Sequence, residues 1–402
     1  MNHTRRLVAA AVLALSLGAV SGHAQGTARS LDLGVSIRAA GMGQASNAVF
    51  WGDGLDQWAN PALLGYQRGI RYEWGKTQLV PGLLNDVFFK TNVIKLGGGG
   101  FGVSLSGKPL KAFGGIDLDY GTSEGADENG NPTGTFGSFE KIDSWGFGLS
   151  AARVIESLER LAGRKVPAWS RMADVSLGMT SKEVEVVLGP NGEGSTPSRD
   201  RGLLVRLSPL EWMETTRDAP VGLDVAYGWS ELNYDGGEIQ FAGQQGPTPV
   251  SRHRRNGYAL HLAAEMPTGL RDRLEHRRWG WLAAGLEPLA SFGFASDRAT
   301  IEPSGGRLKD EGSGYEITFA NVVAYRSGQF EDRLGEITFI DGSTHGWSVG
   351  LPLGRVAGVR YERGTIPQAR DSGLGDVERE AISGWVDPIE LWGLVRGTKT
   401  AR

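Results

Sequence analysis

The sequence predicts an all-β protein in which one long series of antiparallel strands closes into a barrel of the transmembrane kind. Apolar and polar residues alternate with a period of two through most of the chain after Tyr66, and this period places successive side chains on opposite faces of a sheet. Glycine is unusually frequent, with 61 among 402 residues, and is accompanied by 12 tryptophans. Closely packed strands with aromatic belts have this composition more often than helical or α/β enzymes do.

Residues 1–24 are expected to be a signal peptide that is cleaved after Ala24. Arg5 and Arg6 form its basic region, residues 7–17 form an apolar core too short to span a bilayer, and Gly22 supplies a small residue before the cleavage site. Beyond Ala24 no apolar run approaches the roughly 20 residues that a membrane helix requires. The mature protein is therefore expected in the periplasm, in the medium or in the bacterial outer membrane, and a barrel favours the outer membrane.

The composition argues against several kinds of site. The chain has no cysteine, which excludes disulfides, zinc–thiolate centres and cysteine nucleophiles. The formal net charge of −4 is too small to suggest nucleic-acid binding, so no nucleic acid is expected as a partner. The histidines are scattered, and the calcium-loop-like run that starts at Asp127 has Pro132 where the required glycine would stand. No metal and no cofactor is therefore expected.

The alternating segments divide their side chains between two faces, which in a barrel become the outer surface and the lumen. In residues 221–230, for example, Val221, Leu223 and Val225 face one side while Asp224 faces the other. The same pattern occurs in residues 70–74, 101–105, 174–179, 203–207, 258–262, 315–319, 347–353 and 359–362. The polar side chains expected to line the lumen are Arg71, Glu73, Arg206, Asp224, His261, Glu265, Glu316, Arg360 and Glu362.

A soluble β-sandwich would produce the same alternation and remains the alternative fold. Two details favour the barrel. The clear strands reach about ten residues, which is the length of a tilted membrane strand. Their apolar faces also carry Tyr or Trp near the ends, as the interfacial girdles of membrane barrels do.

Long polar connections alternate with shorter ones along the chain. Residues 153–163 have apolar side chains at helical spacing and end at a glycine, and residues 268–276 form a second short amphipathic turn. Both are expected to be helical connectors at the periplasmic end of the barrel. The basic run Arg252–Arg255 is expected on a solvated loop. The long connections expected to be extracellular loops are residues 108–137, 231–256 and 296–314.

The stretch from Arg38 to Tyr66, RAAGMGQASNAVFWGDGLDQWANPALLGY, is rich in small residues and precedes the first alternating segment. Pro61 fixes its own φ and favours an extended conformation at Asn60, whose side chain can bond to nearby backbone. The stretch resembles the N-terminal segment of the FadL superfamily of outer-membrane barrels, and the PorV/PorQ-like branch most. The residues that carry this resemblance are Gly41, Met42, Gly43, Asp53, Asn60, Pro61 and Ala62.

The resemblance extends to the C-terminal part, where residues 346–353 lead into the alternating residues 359–362. It implies a barrel of about 14 strands formed by residues 67–388. It also implies that residues 25–66 fold inside the barrel as a plug, or hatch, and that residues 389–402 form a periplasmic tail. The closing strand is expected near residues 381–386.

One enzyme-like motif needs a separate interpretation. Gly346-Trp-Ser348-Val-Gly350 matches the pattern of a nucleophile elbow, and His345 precedes it. An elbow requires a strand, a sharp turn and a helix, but Pro352 and further alternation follow here. Ser348 is therefore interpreted as a serine within a strand, and no enzymatic activity is expected.

The resemblance implies two functions, and a third class stays open. The first is a conduit for small hydrophobic molecules, gated by movement of the plug or entered through a gap in the wall. The second is a PorV/PorQ-like accessory barrel in protein secretion or surface attachment. The third is an outer-membrane enzyme, which a Ser-His-acid cluster at the rim would reveal. Expected partners are outer-membrane lipids, with hydrophobic small molecules for the conduit or secretion-system proteins for the accessory barrel.

Overall fold

The computed structural model describes residues 28–396 with twelve short gaps. The expected signal peptide and the end of the expected tail lie outside the described residues. So do most of the expected amphipathic turn at 268–276 and the run that starts like a calcium loop. The gaps are residues 82–83, 85, 111–113, 127–131, 190–191, 213–220, 242–245, 268–272, 274–279, 303–306, 334–340 and 369–374.

Fifteen strands form one antiparallel sheet that closes on itself, because β1 pairs with β17 as well as with β2. β3 and β4 share one position in the wall, so the barrel has 14 strands, and the predicted fold class is confirmed. β9 and β10 pair only with each other, in the connection between β8 and β11. The strands are β1 Gly69–Gln78, β2 Phe88–Gly98, β3 Phe101–Ser106, β4 Ile116–Ala126, β5 Pro132–Ser150, β6 Ala173–Val187, β7 Glu193–Leu207, β8 Val221–Leu232, β9 Glu238–Ile239, β10 Thr248–Pro249, β11 Arg252–Ala264, β12 Ala290–Glu302, β13 Arg307–Phe319, β14 Val323–Asp332, β15 Asp341–Leu353, β16 Ala357–Ile366 and β17 Val377–Val386.

Alternation sets the two faces of this wall. Large apolar side chains project outward and are solvent-exposed, such as Phe101 at 54%, Leu177 at 56% and Leu351 at 62%. Polar, charged and glycine residues point inward, and Arg71 and Lys95 are 2% exposed. A barrel pairs all its strands and leaves no open edge, so an apolar outer surface of this kind is compatible with a lipid environment.

The third wall position is interrupted between β3 and β4. Ser106 pairs with Ser144 of β5 and Ile116 pairs with Ile142, so the described residues between Ser106 and Ile116 lie outside the wall pairing, and β5 passes this excursion with a single residue. Backbone hydrogen bonds close the base of this excursion, including one of 2.8 Å from Gly107 N to Gly114 O. The wall therefore stays hydrogen-bonded across the interruption.

Helices gather at one end of the barrel, here called the helical end; the other is called the loop end. The helix Ala151–Leu161 follows β5 and begins two residues before the predicted stretch, because the Ser150 side chain accepts a hydrogen bond from Arg153 N. The helix Trp169–Met172 precedes β6, and Gly280–Ala283 precedes β12. The expected tail begins as the helix Pro388–Arg396. Among the described residues, no helix has the length and apolar character needed to cross a membrane.

The strands extend further toward the loop end than the sequence predicted. The expected loop at 108–137 is wrong, since β4 and the first part of β5 occupy most of it, and β12 and β13 likewise occupy most of 296–314. The basic run Arg252–Arg255 begins β11 instead of lying in a loop. At this end the outward side chains are polar, such as Asp117 and Arg298, whereas inward ones such as Leu118 and Ile301 are apolar. The pattern of outward apolar and inward polar residues that marked the other strand segments is therefore lost here.

Residues 28–66, called here the N-terminal segment, lie inside the barrel. The segment contains the 3-10 turn Arg29–Leu31, the helix Ile37–Gly41 and the 3-10 turn Pro61–Tyr66. Side chains along its length are fully buried, among them Met42 and Leu63 at 0% exposure. Two buried apolar clusters hold it, one around Met42, Phe50 and Leu63 and one around Ala28 at the loop end.

Candidate functional site

The inner wall carries glycines wherever the N-terminal segment approaches it most closely. A Cβ built on Gly178 would lie closer than 3.0 Å to backbone atoms of Pro61, and one on Gly228 would do the same at Asn47. Real Cβ atoms do not show such separations, so the segment could not occupy its position if these glycines had side chains. The glycines of this track are Gly102, Gly148, Gly178, Gly202, Gly228, Gly257, Gly293, Gly312, Gly314, Gly328, Gly346 and Gly364.

Cross-strand pairing makes the track continuous over part of the wall. Gly102 pairs with Gly148, Gly148 with Gly178, and Gly178 with Gly202, so four neighbouring strands have glycine at one level. Gly346 and Gly364 pair in the same way on the other side. The glycine track was not expected from the sequence. A glycine at an inward position of one strand after another is the pattern that would have indicated it.

The Asn-Pro-Ala triplet forms the corner that seats the segment at the helical end. Asn60 Oδ1 accepts a hydrogen bond of 3.0 Å from Ala62 N, and Asn60 Nδ2 donates to Asn47 O at 2.9 Å and to Leu203 O at 3.1 Å. Asn60 and Ala62 are both 0% exposed. Pro61 begins a 3-10 turn, as its fixed φ allows.

The Gly-Met-Gly run crosses the lumen against β13, β14 and β15. Gly43 has a φ of +66°, and its backbone N donates to Thr344 Oγ1 at 2.8 Å. A side chain there would meet the carbonyl oxygens of Ser313 and Gln329. Gly41 lies directly against Gly346, and a Cβ built on either would come within 3.0–3.1 Å of neighbouring backbone, so a side chain at either position would push the two apart.

A buried chain of alternating charges links the segment to the wall. Arg38 donates to Glu316 at 2.9 Å and 2.5 Å, and Glu316 also accepts from Arg326 at 2.6 Å. Arg326 donates in turn to Glu362 at 3.0 Å. These four side chains are at most 10% exposed. Removing one member of such a buried set leaves an uncompensated charge, which is strongly destabilising.

Asp53, which the sequence singled out, meets the same side of the wall. Its carboxylate accepts from Arg360 at 3.0 Å. Arg360 also donates to Ser348 Oγ at 3.1 Å, and Arg326 donates to that oxygen at 3.2 Å. Ser348 is therefore a buried acceptor within β15. His345 is exposed on the opposite face of the same strand, so this serine and histidine do not form a nucleophile–base pair.

A second ionic anchor lies at the loop end. Asp32 accepts from Lys309 at 2.7 Å and lies 2.8 Å from His253 Nε2. Burial by itself raises the pKa of the Asp32 carboxyl, but Lys309 and His253 outweigh it and hold that pKa well below its usual range. Nearby, Ser30 N donates to Glu140 at 2.7 Å. The beginning of the segment is thus tied to β5, β11 and β13.

A third anchor lies at the helical end, around Tyr66. Its hydroxyl donates to Asp174, which also accepts from Ser150 Oγ at 2.6 Å. Burial and the Asp174 carboxylate raise the pKa of Tyr66, so the phenol stays protonated and acts as a donor. The Arg153 guanidinium lies 4.3 Å from the centre of the Tyr66 ring and donates to the Tyr66 carbonyl at 3.1 Å.

The structure places most of the expected lumen-lining side chains on the inner face of the wall. Arg71 and Lys95 both contact Glu73, at 2.6 Å and 2.7 Å. Arg206 donates to Asp224 at 3.0 Å, and His261 stacks on the Trp51 ring with 4.8 Å between centroids. Glu265 does not line the lumen: β11 ends at Ala264, and Glu265 is exposed beyond it. Inward side chains that the sequence analysis missed include Lys95, Asp174, Asp297, Lys309 and Arg326.

The packed segment leaves little free space. A cavity of about 30 Å³ lies between the segment and β1, β2 and β17, and is lined by Ser36, Gln57, Glu73, Lys95 and Ser383, among others. That volume holds a water molecule or two. No group of three His, Asp or Glu side chains among the described residues is arranged to hold a metal ion.

One side of the loop-end half of the lumen carries an apolar cluster. Phe89, Ile116, Leu118, Ile142 and Val186, from β2, β4, β5 and β6, are at most 2% exposed and form one cluster. The N-terminal segment packs against this cluster. Its contribution is Ala28, Leu31, Leu33, Val35 and Trp58.

Solved structures of other barrels are similar to this chain, but no close relative was found. No protein-family model and no curated protein matches the sequence. Among solved structures, the Pseudomonas putida toluene transporter TodX matches with 10% identity and a TM-score of 0.42, covering 88% of this chain and 98% of that one. A Pseudomonas aeruginosa FadL homologue and the Ralstonia pickettii toluene transporter TbuX match with 10% identity, the same coverage and TM-scores of 0.37 and 0.38. Identities and scores this low carry no weight for function.

Proposed function

We propose that the protein is an outer-membrane barrel that conducts small hydrophobic molecules, and that residues 25–66 act as its plug. The observation that carries this proposal is the apolar cluster in the loop-end half of the lumen, which the chain fills with its own Leu31, Leu33 and Val35. A channel for polar solutes does not require an apolar cluster in its lumen. A hydrophobic ligand would bind there once the plug side chains moved away.

The outer surface supports the membrane location. Exposed apolar side chains surround the barrel, and rings such as Trp74, Trp145 and Tyr258 stand among them at 40%, 50% and 64% exposure. A soluble protein would rarely leave so much contiguous apolar surface in water. Because the strands extend beyond the apolar outer surface at the loop end, we place the loop end outside the cell and the helical end in the periplasm.

In this proposal the conduit is closed at rest: the described part of the plug packs against the wall, and the cavity of about 30 Å³ beside it holds only a water molecule or two. Opening requires the plug to leave part of the glycine track or the apolar cluster. The hydrogen bonds of Arg38, Asp32 and Tyr66 to the wall are the contacts that hold it closed.

Ligand binding tests the proposal. Purified protein in detergent is titrated with radiolabelled toluene and, separately, with lauric acid. Phe89→Ala removes a wall contact and should weaken binding of the apolar probe several-fold, whereas Leu33→Ser weakens the competing plug side chain and should strengthen it. Phe101→Ala, on the outer surface, is the control and should change nothing. If neither probe binds saturably to the native protein, the conduit proposal is wrong.

A protein-binding role of the PorV/PorQ-like kind is the second candidate, and one observation favours it. β5, β6 and β7 have 19, 15 and 15 residues, more than the roughly 9–11 that cross a bilayer. They would rise above the membrane as a wall on which a secreted protein could dock. Two results together would favour that role over the conduit. Neither apolar probe would bind, and a secreted partner would bind only while β5, β6 and β7 keep their full length.

A further inference from the structure

We propose that the helix Pro388–Arg396 is an interfacial anchor that lies in the phospholipid headgroup region on the periplasmic side of the membrane. The inference rests on the proposed membrane location and concerns a part of the chain with no role in the conduit. The partner it requires is a lipid surface and not a protein.

The helix exposes apolar side chains over most of its circumference. Their exposed fractions are 71% for Ile389, 41% for Leu391, 57% for Trp392, 45% for Leu394 and 71% for Val395. Gly393 is the buried position among residues 388–395, Glu390 is half-buried, and the helix packs against β1, so the side that carries Glu390 and Gly393 is turned toward the barrel. A protein groove covers a single stripe of a helix, whereas lipid surrounds a helix on all sides that the barrel leaves open.

The helix adjoins the apolar outer surface of the barrel. It begins directly after β17, and Asp387 fixes its start by accepting hydrogen bonds from Ile389 N at 2.9 Å and Glu390 N at 3.2 Å. The adjoining outward side chains of β1 and β17, Ile70 and Ile382, are 41% and 51% exposed. The helix therefore starts at the lower border of the surface that faces lipid.

The charges of the C-terminal sequence agree with this partner. Residues 396–402, RGTKTAR, contain two arginines and one lysine and no acidic residue. Basic residues next to an apolar helix are attracted to anionic lipid headgroups. Glu390 is the single acidic residue of the helix and lies one helical turn from Gly393, on the side that faces the barrel.

The absence of cysteine in the native chain makes a site-specific test straightforward. Val395→Cys is labelled with a nitroxide in the full-length protein, reconstituted into vesicles of phosphatidylethanolamine and phosphatidylglycerol. Collision rates of the label with oxygen, which concentrates in lipid, are compared with those of a water-soluble nickel chelate. Leu351→Cys in the apolar surface and Arg164→Cys, exposed at the helical end, serve as the lipid and water references. Different migration of boiled and unboiled samples on a gel checks that each variant is folded.

We expect the label at Val395 to resemble the one at Leu351, with oxygen favoured over the chelate. If Leu351 reports lipid while Val395 resembles Arg164, the anchor is overturned and the membrane barrel stands. If Leu351 itself reports water, the proposed function fails as well. Spin–spin broadening at Val395 that grows with the protein-to-lipid ratio would instead indicate contact with a second copy, which also overturns the lipid anchor.

Discussion

Arg38 and Glu316 are 278 positions apart in the sequence and form a two-point ion pair inside the barrel, at 2.9 Å and 2.5 Å. The pair joins the N-terminal segment to β13, and Arg326 shares the same carboxylate. The three side chains are at most 5% exposed. The N-terminal segment is therefore held by a buried ionic contact, and loss of one member leaves a buried charge without part of its compensation.

The sharing of Glu316 predicts an unequal effect of two neutralising substitutions. Glu316→Gln leaves two buried arginines without their carboxylate and should destabilise the protein by roughly 3–5 kcal/mol, whereas Arg38→Gln leaves Glu316 paired with Arg326 and should cost less. Both should raise single-channel conductance in planar bilayers. Urea unfolding gives the free energies, and Arg298→Gln, which breaks an exposed pair, should stay within about 0.5 kcal/mol. Equal costs for the two buried substitutions would show that the carboxylate is not shared.

The glycine track predicts a steric effect at the wall. Gly178→Ala places a Cβ against the Pro61 backbone, so the segment must shift, with a cost of about 1–3 kcal/mol. Gly222→Ala has no atom within 4 Å of the new Cβ and is the matched control. Unfolding in urea and protease cleavage within residues 28–66 measure the two effects. Unchanged stability and unchanged cleavage in Gly178→Ala would mean that the segment does not rest on this track.

The depressed pKa of Asp32 predicts acid release at the loop end. A carboxyl whose folded-state pKa lies below its ordinary value of 3.8 stabilises the folded state above that pH, and the contribution disappears as the pH falls through the folded-state value. Cleavage of the first part of the segment should therefore increase as the pH falls below about 4. Asp32→Asn removes this dependence and should raise cleavage at neutral pH. A native cleavage rate that does not change on acidification contradicts the prediction.

Ser348 supplies a stability test that also addresses the enzyme-like motif. Ser348→Ala removes an acceptor from Arg326 and Arg360, both buried, and should cost about 1–3 kcal/mol. Because the hydroxyl is held by arginines and not by a histidine, hydrolysis of p-nitrophenyl acetate should be the same in both proteins. An esterase activity that the substitution abolishes would reopen Ser348 as a nucleophile.

The part of the barrel with an apolar outer face could be predicted from sequence because one face of each strand there is uniformly apolar. In β8, Val221, Leu223 and Val225 alternate with small or polar residues, and the strand lies where the pattern indicates. Toward the loop end the outward side chains become polar and inward ones such as Leu118 and Ile301 become apolar, so the pattern used for the other strands is lost, and β4 and the upper parts of β12 and β13 were expected as loops.

The contacts between the N-terminal segment and the inner wall were less predictable, because alternation shows which face a side chain is on but not what it meets. Alternation identified inward charges such as Glu316 and Arg360, but it could not show that Arg38 and Asp53 would reach them across the lumen. Glu265 was misplaced because the alternation continues past the end of β11. The inward glycines looked like gaps in the pattern, although they are the positions on which the segment rests.

A disulfide between the proposed plug and the wall tests directly whether the plug has to move for uptake. A Cβ on Gly364 would lie 3.4 Å from Ala40 Cβ, close to the separation in a disulfide, although it would also come 2.9 Å from the Ile37 carbonyl oxygen. The double variant Ala40→Cys with Gly364→Cys can be oxidised and reduced in a chain that has no other cysteine. A plug that has to move predicts no uptake of the apolar probe by oxidised protein and recovery on reduction, with neither single variant responding to redox state. Equal uptake by the oxidised and reduced forms would contradict a plug that has to move.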